Sequence, residues 1–411
     1  MYGHTSSRRR LRGVLGALLV VGLALALAPS ARAALYLGAP QLYSTVLYSD
    51  AVAIGDFDED GHPDVAVARG LPSFRGIEIM RGSATGLLSA PDVIDVERDV
   101  RDVAVGDFDD DGHLDLAVAD GSDDAISIYY GAGDGTFSAG PVIADAGTPV
   151  AITAVDLNHD GRDDVATANT TNADMGVALA GPGRTFGSVA LTQVGLGPTA
   201  IASADLHGNG SPDLLVVNGA QNTLRQENNN GSGGFSGGSY GTDAGPLGVA
   251  AGDFNHDGRT DAVTAGGDTV SQLLHAVTTG LLDIHSSFPL PAGATANAVA
   301  AGELTSDDFD DAITANAGTG TISLLAGSAG ELTSPQTYAA GPNPSDVAIG
   351  DLNGDGLADV VVATNGSSGL AVLFGHARRR SPSTCPRRPP TATAPAAAWR
   401  WPAPRRAPAA R

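Results

Sequence analysis

The sequence predicts an all-β protein: a seven-bladed β-propeller with four antiparallel strands per blade and an N-terminal strand closing the last blade. Three observations predict it. An Asp-rich loop recurs seven times, starting at residues 56, 107, 156, 205, 253, 303 and 351, at intervals of 48 to 51 residues. Each repeat holds short β-branched runs bounded by Gly, Asn and Ser, which read as strands and turns. Four strands in a repeat of this length make a propeller blade. Finally, residues 35–377 number 343, which is seven repeats of 49. An open β-solenoid is the alternative, but its repeats are usually shorter.

The last repeat shows the strands most clearly. An alternating segment, Asp346 to Gly350, leads into the loop, and Asp359 to Thr364 leads out of it. Leu370 to Phe374 forms a third strand, and a weaker fourth segment precedes each new repeat, as in Pro335 to Tyr338. The last repeat stops after three strands, whereas a spare strand, about Gln41 to Leu47, precedes the first. Joining these fastens both ends of the array in one sheet and removes the open edge of a linear array. Glu227 to Tyr240, rich in Asn, Gly and Ser, reads as a mobile rim loop or a plain flexible linker.

Composition agrees. Of 411 residues, 17% are charged and 5% aromatic, and 55 are Gly. Such a chain favours many short elements over long helices. All 23 basic residues are Arg; five lie in the first 32 residues and nine beyond residue 377. The segment between carries all 46 acids against nine Arg, a formal charge of −37. That charge is self-repulsive. It excludes nucleic acid as a partner, since phosphates would be repelled, and it calls for bound cations. The only cysteine, Cys385, lies in the tail, so the body has no internal disulfide.

Residues 1–33 read as an export signal: a basic stretch from Arg8 to Arg12, an apolar run from Val14 to Leu27, and a small-x-small site, Ala31-Arg32-Ala33, before Ala34. The basic stretch also fits a twin-arginine signal. A membrane anchor is the alternative, although the apolar run is short for a spanning helix. No transmembrane span is expected after cleavage, and the expected location is secreted, periplasmic or at the cell surface. Residues 378–411 turn to Arg, Pro and Ala and read as a disordered tail. A basic surface-binding segment and a shifted reading frame are the other readings.

The loop pattern is D-x-[DN]-x-D-G-x-x-D. Calcium takes six to eight oxygen ligands. Acids at positions 1, 3 and 5 converge when the chain curls round an ion, Gly at position 6 permits the bend, position 7 offers its backbone oxygen, and the Asp at position 9 closes the shell. The expected ligands are Asp56, Asp58, Asp60, His62 and Asp64 in the first loop and Asp107, Asp109, Asp111, His113 and Asp115 in the second. The third supplies Asp156, Asn158, Asp160, Arg162 and Asp164, and the fifth Asp253, Asn255, Asp257, Arg259 and Asp261. The seventh supplies Asp351, Asn353, Asp355, Leu357 and Asp359. The fourth loop has His207 and Asn209 in acid positions, and the sixth has Asp308 in place of the bend Gly. We therefore expect calcium in five loops, with the fourth and sixth weak or empty.

An isolated Asp/Gly cluster is often an ordinary turn. Five copies with acids at the same places need another account, because like charges 4 Å apart repel by about 4 kcal/mol at an effective dielectric near 20. An EF-hand needs Glu at position 12, where these loops have Val67, Val118, Thr167, Thr264 and Val362. The residues after each loop are also strand formers rather than helix formers.

With its G-D-[FL]-[DN]-x-D-G-x-x-D loops, its Gly133-Asp134-Gly135-Thr136-Phe137 element and Tyr36-Leu37-Gly38-Ala39-Pro40, the chain resembles the FG-GAP/VCBS repeat family, calcium-binding propeller repeats also found in integrin α-subunit heads. The resemblance spans residues 35–377. It implies that each loop joins the two innermost strands of a blade, and that the protein serves adhesion, ligand binding or scaffolding.

No catalytic constellation emerges. His62, His113, His159 and His256 all lie inside the metal loops and are expected to face solvent. The reading is a non-catalytic binding, adhesion or scaffold module, a monomer with a protein or glycan ligand outside the cell. The alternative is a carbohydrate-active enzyme such as a polysaccharide lyase, but nine Arg in the body leave little to hold an anionic polymer.

Overall fold

The second strand of each blade dictates the architecture. Asp115–Asp120, Asp164–Asn169, Asp213–Asn218, Asp261–Gly266, Asp311–Asn316 and Asp359–Thr364 are buried at every residue. A strand with no solvent face must be covered on both sides, which explains continuous runs such as Val360-Val361-Val362-Ala363 where one-sided sheets would alternate. Neighbouring blades supply that cover.

The computed structural model describes residues 35–377 apart from 46–47, 72–73, 97, 146, 244, 277–281 and 367–368. The proposed export signal (1–33) and tail (378–411) lie outside the described residues, as does the end of the expected spare strand at 46–47. The described chain is seven four-stranded antiparallel sheets arranged as a seven-bladed propeller. Blades one to six run in sequence order, from Ala51–Gly55, Asp64–Leu71, Phe74–Met80 and Asp92–Asp95 in blade one to Ala296–Gly302, Asp311–Asn316, Thr321–Leu325 and Gln336–Ala339 in blade six. Blade seven takes Pro344–Gly350, Asp359–Thr364 and Gly369–Leu373 from the C-terminal end and Gln41–Ser44 as its outer strand. Gln41 pairs with Val372 and Ser44 with Gly369, the closure expected of the spare strand. A short extra pair, Leu35–Leu37 with Gly375–Ala377, ties the two ends again.

Seven apolar clusters fill the seven interfaces between blades. In the closing one, Val52, Val65, Val67 and Met80 of blade one pack against Val361, Ala363, Leu370 and Val372 of blade seven. Fully burying one such side chain contributes about 1.5–3 kcal/mol. The ring is therefore held by apolar contact at every joint, without disulfides.

Glu227 to Tyr240 is not a loop. Thr223–Asn229 and Phe235–Gly241 are the third and fourth strands of blade four, paired from Thr223–Gly241 to Asn229–Phe235. Polar and Gly-rich residues suit this outer hairpin because the backbones approach closely: a Cβ on Gly237 would lie 1.6 Å from the Gln226 carbonyl oxygen.

Candidate metal centres

Each Asp-rich loop joins the first and second strands of its blade. Positions 4 and 6 both take the left-handed conformation. Position 6 has φ of +85° at Gly61 and Gly112 and +88° at Gly161, while position 4 has +56° at Glu59, +59° at Asp110 and +61° at His159. The two reversals let the carboxylate at position 1 cap the turn: Asp56 Oδ1 accepts from the Asp60 N–H (3.2 Å) and Oδ2 from the Gly61 N–H (2.9 Å). The same pair of bonds occurs at Asp107, Asp156, Asp253 and Asp351. It also occurs at Asp205 in the fourth loop. In the sixth loop Asp308 adopts φ +73° in place of Gly, and its N–H reaches Glu303. Burial raises Asp156 and Asp205, but the N–H groups of Gly161 and Gly210 and their neighbours outweigh it and hold both carboxyls below the usual range.

In the first two loops the acids converge. One oxygen each of Asp56, Asp58 and Asp64, and likewise of Asp107, Asp109 and Asp115, lie within 4.8 Å of one another. The position-5 carboxylates turn onto the position-7 N–H, as Asp60 does to His62 (2.9 Å) and Asp111 to His113 (3.0 Å). Loops three, five and seven carry Asn at position 3, with Asn255 and Asn353 accepting from the N–H of Asp257 and Asp355. Position-7 side chains differ. His113 meets Glu59 at 2.5 Å and Arg162 meets Asp160 at 2.5 Å, while Arg259 lines a cavity between blades four and five. Of the loop histidines, His159 bonds Ser211 across the blade boundary at 2.9 Å and His256 packs on Phe309.

Position 9 plays a part the sequence alone did not reveal. Its Asp is buried in all seven blades. In six of them, one oxygen accepts from the position-2 N–H and the other from an N–H just past the third strand or at its end. Asp115, for example, bonds Phe108 N (3.0 Å) and Gly131 N (2.7 Å). Asp213 and Asp311 do the same in the two loops least suited to calcium. The residue therefore clamps loop to sheet whether or not the loop binds an ion. Burial, then the charges of Asp109 and Asp111, push Asp115 up to about 7 against its two N–H bonds. Asp164, Asp311 and Asp359 rise to about 6 and Asp261 to about 7, again mainly from burial.

These groups fit a hard divalent cation. The donors are carboxylate and amide oxygens on a tight turn, the set calcium prefers. Two acceptors are also left open: Asp109 Oδ1 and Asp261 Oδ2 are buried without a hydrogen-bond partner. Buried acceptors are normally satisfied, so these two await a donor or a cation.

The loops also touch the next blade. The Gly133–Phe137 turn of blade two docks on the first loop: Gly135 N–H bonds the Phe57 carbonyl (2.9 Å) and Phe137 packs edge-on against Phe57, 5.5 Å between ring centres. In blade three, Gly181 to Phe186 repeats this turn with Arg184 in the place of Gly135. Arg184 lies in the left-handed region at φ +62°, stacks over Tyr130 and bonds Asp109 and Asp111 of the second loop.

No helix among the described residues is long and apolar enough to cross a membrane. No curated protein sequence matches the chain. Among solved structures, the crystal structure of BBS1N in complex with ARL6DN, soaked with lead, matches at a TM-score of 0.58 and 14% identity, covering 85% of this chain and 99% of that one. The mercury-soaked crystal of the same complex matches at 0.60 and 14%, with the same coverage. At that identity the likeness is one of fold. FG-GAP-like repeats match residues 56–118, 107–167, 205–264 and 303–362. Each stretch runs from position 1 of one loop to position 12 of the next, and together they include all seven loops and more than half the sequence. The chain belongs to the FG-GAP-like repeat family.

Proposed function

We propose that this propeller is an exported, calcium-stabilised binding scaffold without catalytic activity. The observation that carries the reading is the convergence of Asp56, Asp58 and Asp64, and of Asp107, Asp109 and Asp115, within 4.8 Å on loops whose turn geometry recurs round the ring. Calcium would be held by positions 1, 3, 5 and 9 and the position-7 carbonyl of loops one, two, three, five and seven. It would neutralise the crowded acids and stiffen one face of the ring. This chain's residues supply the turn, the clamp and the open acceptors.

A ring of rigid loops suits recognition of a macromolecule. The similarly folded BBS1N is described in complex with ARL6DN, which supports a protein partner; a glycan is the other ligand class consistent with an exported scaffold. Export rests on the composition of residues 1–33.

Calorimetric titration of the untagged mature protein with calcium should show about five equivalents. Chelation should lower the melting temperature and raise protease sensitivity, and calcium should restore both. An unchanged melting curve would overturn the calcium reading. A glycan array run beside a hydrolysis and lyase screen separates binding from turnover, and turnover would overturn the non-catalytic assignment.

A further inference from the structure

Blade four holds the loop least suited to calcium, yet it faces a distinct cavity of about 340 Å³ shared with blade five. Asp205 and His207 line it from the loop, and Arg259, Thr260 and His275 line it from blade five. His275 ends the third strand of that blade, Thr269–His275, and is only 4% exposed. Its Nδ1 lies 3.2 Å from the Thr260 carbonyl oxygen. A carbonyl only accepts, so Nδ1 carries the proton and Nε2 the lone pair. That Nε2 is buried and has no hydrogen-bond partner among the described residues. His207 is held the same way: its Nδ1 lies 2.7 Å from the buried carboxylate of Asp213, leaving the lone pair on Nε2. The two rings stand perpendicular with centres 6.2 Å apart.

We propose that His207 and His275 form a transition-metal site, for zinc or a similar imidazole-preferring divalent ion, with Asp205 as an oxygen ligand. Metal-bound histidines typically donate the other ring N–H to a carboxylate or backbone carbonyl, which fixes the tautomer and aims the lone pair. Both rings here have that second partner. Imidazole nitrogen suits zinc, whereas calcium takes oxygen. A histidine kept only for packing would have both nitrogens satisfied. An anion drawn by Arg259 would need a donor at Nε2, which this tautomer lacks. Two rings on one tetrahedral ion, at Zn–N distances of about 2.0–2.1 Å, have centres roughly 5 Å apart. The donor atoms of Asp205, His207 and His275 do not all lie within 4.8 Å of one another as those of the first two loops do, so binding must draw them together, and His207, with its side chain 30% exposed, is the one free to move.

The test uses the untagged protein in saturating calcium, titrated with cobalt alone and then with zinc. One saturable equivalent is expected, with the visible bands of nitrogen-ligated cobalt that zinc abolishes. His207→Asp combined with Asn209→Asp restores the acid pattern of the other loops. It should lower zinc affinity at least tenfold and add one calcium equivalent. His275→Gln should also lower zinc affinity at least tenfold; because that residue is buried, its melting curve is read alongside, and the surface double variant decides if the fold fails. His376→Gln, on the exposed strand Gly375–Ala377, should leave zinc affinity unchanged. Absence of a saturable equivalent in calcium, or an affinity unmoved by the double variant, overturns the proposal.

Discussion

The guanidinium of Arg184 in blade three lies 2.5 Å from the carboxylate of Asp109, inside the second Asp-rich loop, that of blade two. In the first loop Arg81 approaches the equivalent acid, Asp58, at 3.8 Å. Two loops thus receive a cation at position 3 from different places in the sequence. Arg184 extends from the turn position that Gly135 occupies one blade earlier, where a Cβ would lie 2.8 Å from the Arg81 guanidinium. The glycine leaves room for one arginine, and the next blade supplies its own from that point.

A calcium ion in the second loop would compete with Arg184 for Asp109. A unit charge about 6 Å from a divalent ion repels it by roughly 1.4 kcal/mol with water-like screening, a factor of about ten in affinity. Arg184→Ala should therefore tighten calcium binding to the second loop about tenfold, while slightly lowering the melting temperature in chelator. Calorimetry on the variant and on Arg184→Ala with Asp109→Asn locates the change. An affinity that falls in Arg184→Ala would mean that the arginine organises the loop rather than competing in it.

Position 9 should matter where calcium does not. In the sixth loop Asp311 accepts from Leu304 N (2.7 Å) and Gly327 N (2.8 Å), while Asp307 at position 5 is exposed and caps only Phe309 N. Leaving two buried N–H groups unsatisfied costs about 1–3 kcal/mol each. Asp311→Ala should lose roughly 3 kcal/mol in urea denaturation with chelator present, and Asp307→Ala less than about 1 kcal/mol. Equal losses would refute the clamp.

The repeat, the blade and the closing strand were legible because they depend on pattern: Asp spacing, β-branched runs and a spare segment before residue 51. The converging carboxylates of the first two loops were legible for the same reason. Other features depend on proximity that no local pattern records. Asp64 and its equivalents read as ligands, and their second part, holding two N–H groups, stayed hidden because a carboxylate in an Asp-rich loop looks the same in either role. Arg184 stands in a turn of blade three and acts in blade two. His275 has no motif around it, and only the packing of blade five against blade four sets it beside His207. Glu227 to Tyr240 read as loop because Gly and Ser carry turn propensity, whereas a close strand pair also demands them.

That hairpin gives a sharp contrast between adjacent glycines. A Cβ on Gly237 would meet the Gln226 carbonyl oxygen at 1.6 Å, while one on Gly238 would meet nothing within 4 Å. Backbone atoms cannot step aside as a side chain does, so Gly237→Ala must part the two strands. A loss of about 2–3 kcal/mol is expected, in the range of overpacked sites. Gly238→Ala should stay within about 0.5 kcal/mol, as surface changes do. Chemical denaturation of both variants checks the pair, and similar stabilities would restore the flexible-loop reading.

The central channel predicts a pH dependence of its own. On the first strands, five residues before the loop, blades two and seven carry Asp102 and Asp346, where the others carry Ala51, Ala151, Ala200, Gly248 and Ala298. Asp102 accepts from Val103 N (2.8 Å) and, in blade three, Ile152 N (2.9 Å). Asp346 accepts from Val347 N (2.8 Å) and, in blade one, Val52 N (2.9 Å), so each stitches its blade to the next. Burial, then the charge of Asp346, push Asp102 up to about 7; burial pushes Asp346 up to about 6. Nearby, Asp50 is also raised by burial, and Arg101 is engaged by Asp99 at 2.6 Å. An unfolded Asp titrates near 3.9. Between about pH 4 and 7 the native state therefore holds more protons than the unfolded chain, and stability falls as pH rises through that window. Asp102→Asn removes the charge and keeps one of the two accepting oxygens, so the pH-independent loss of one N–H bond is separated from the pH-dependent gain by the shape of the curve. Relative to the parent protein in saturating calcium, the variant should gain roughly 2 kcal/mol between pH 4.5 and 7.5, about half what the shift alone gives, because water reaches both carboxylates through the channel. Parallel stability curves for parent and variant across that range would show that Asp102 stays ionised throughout.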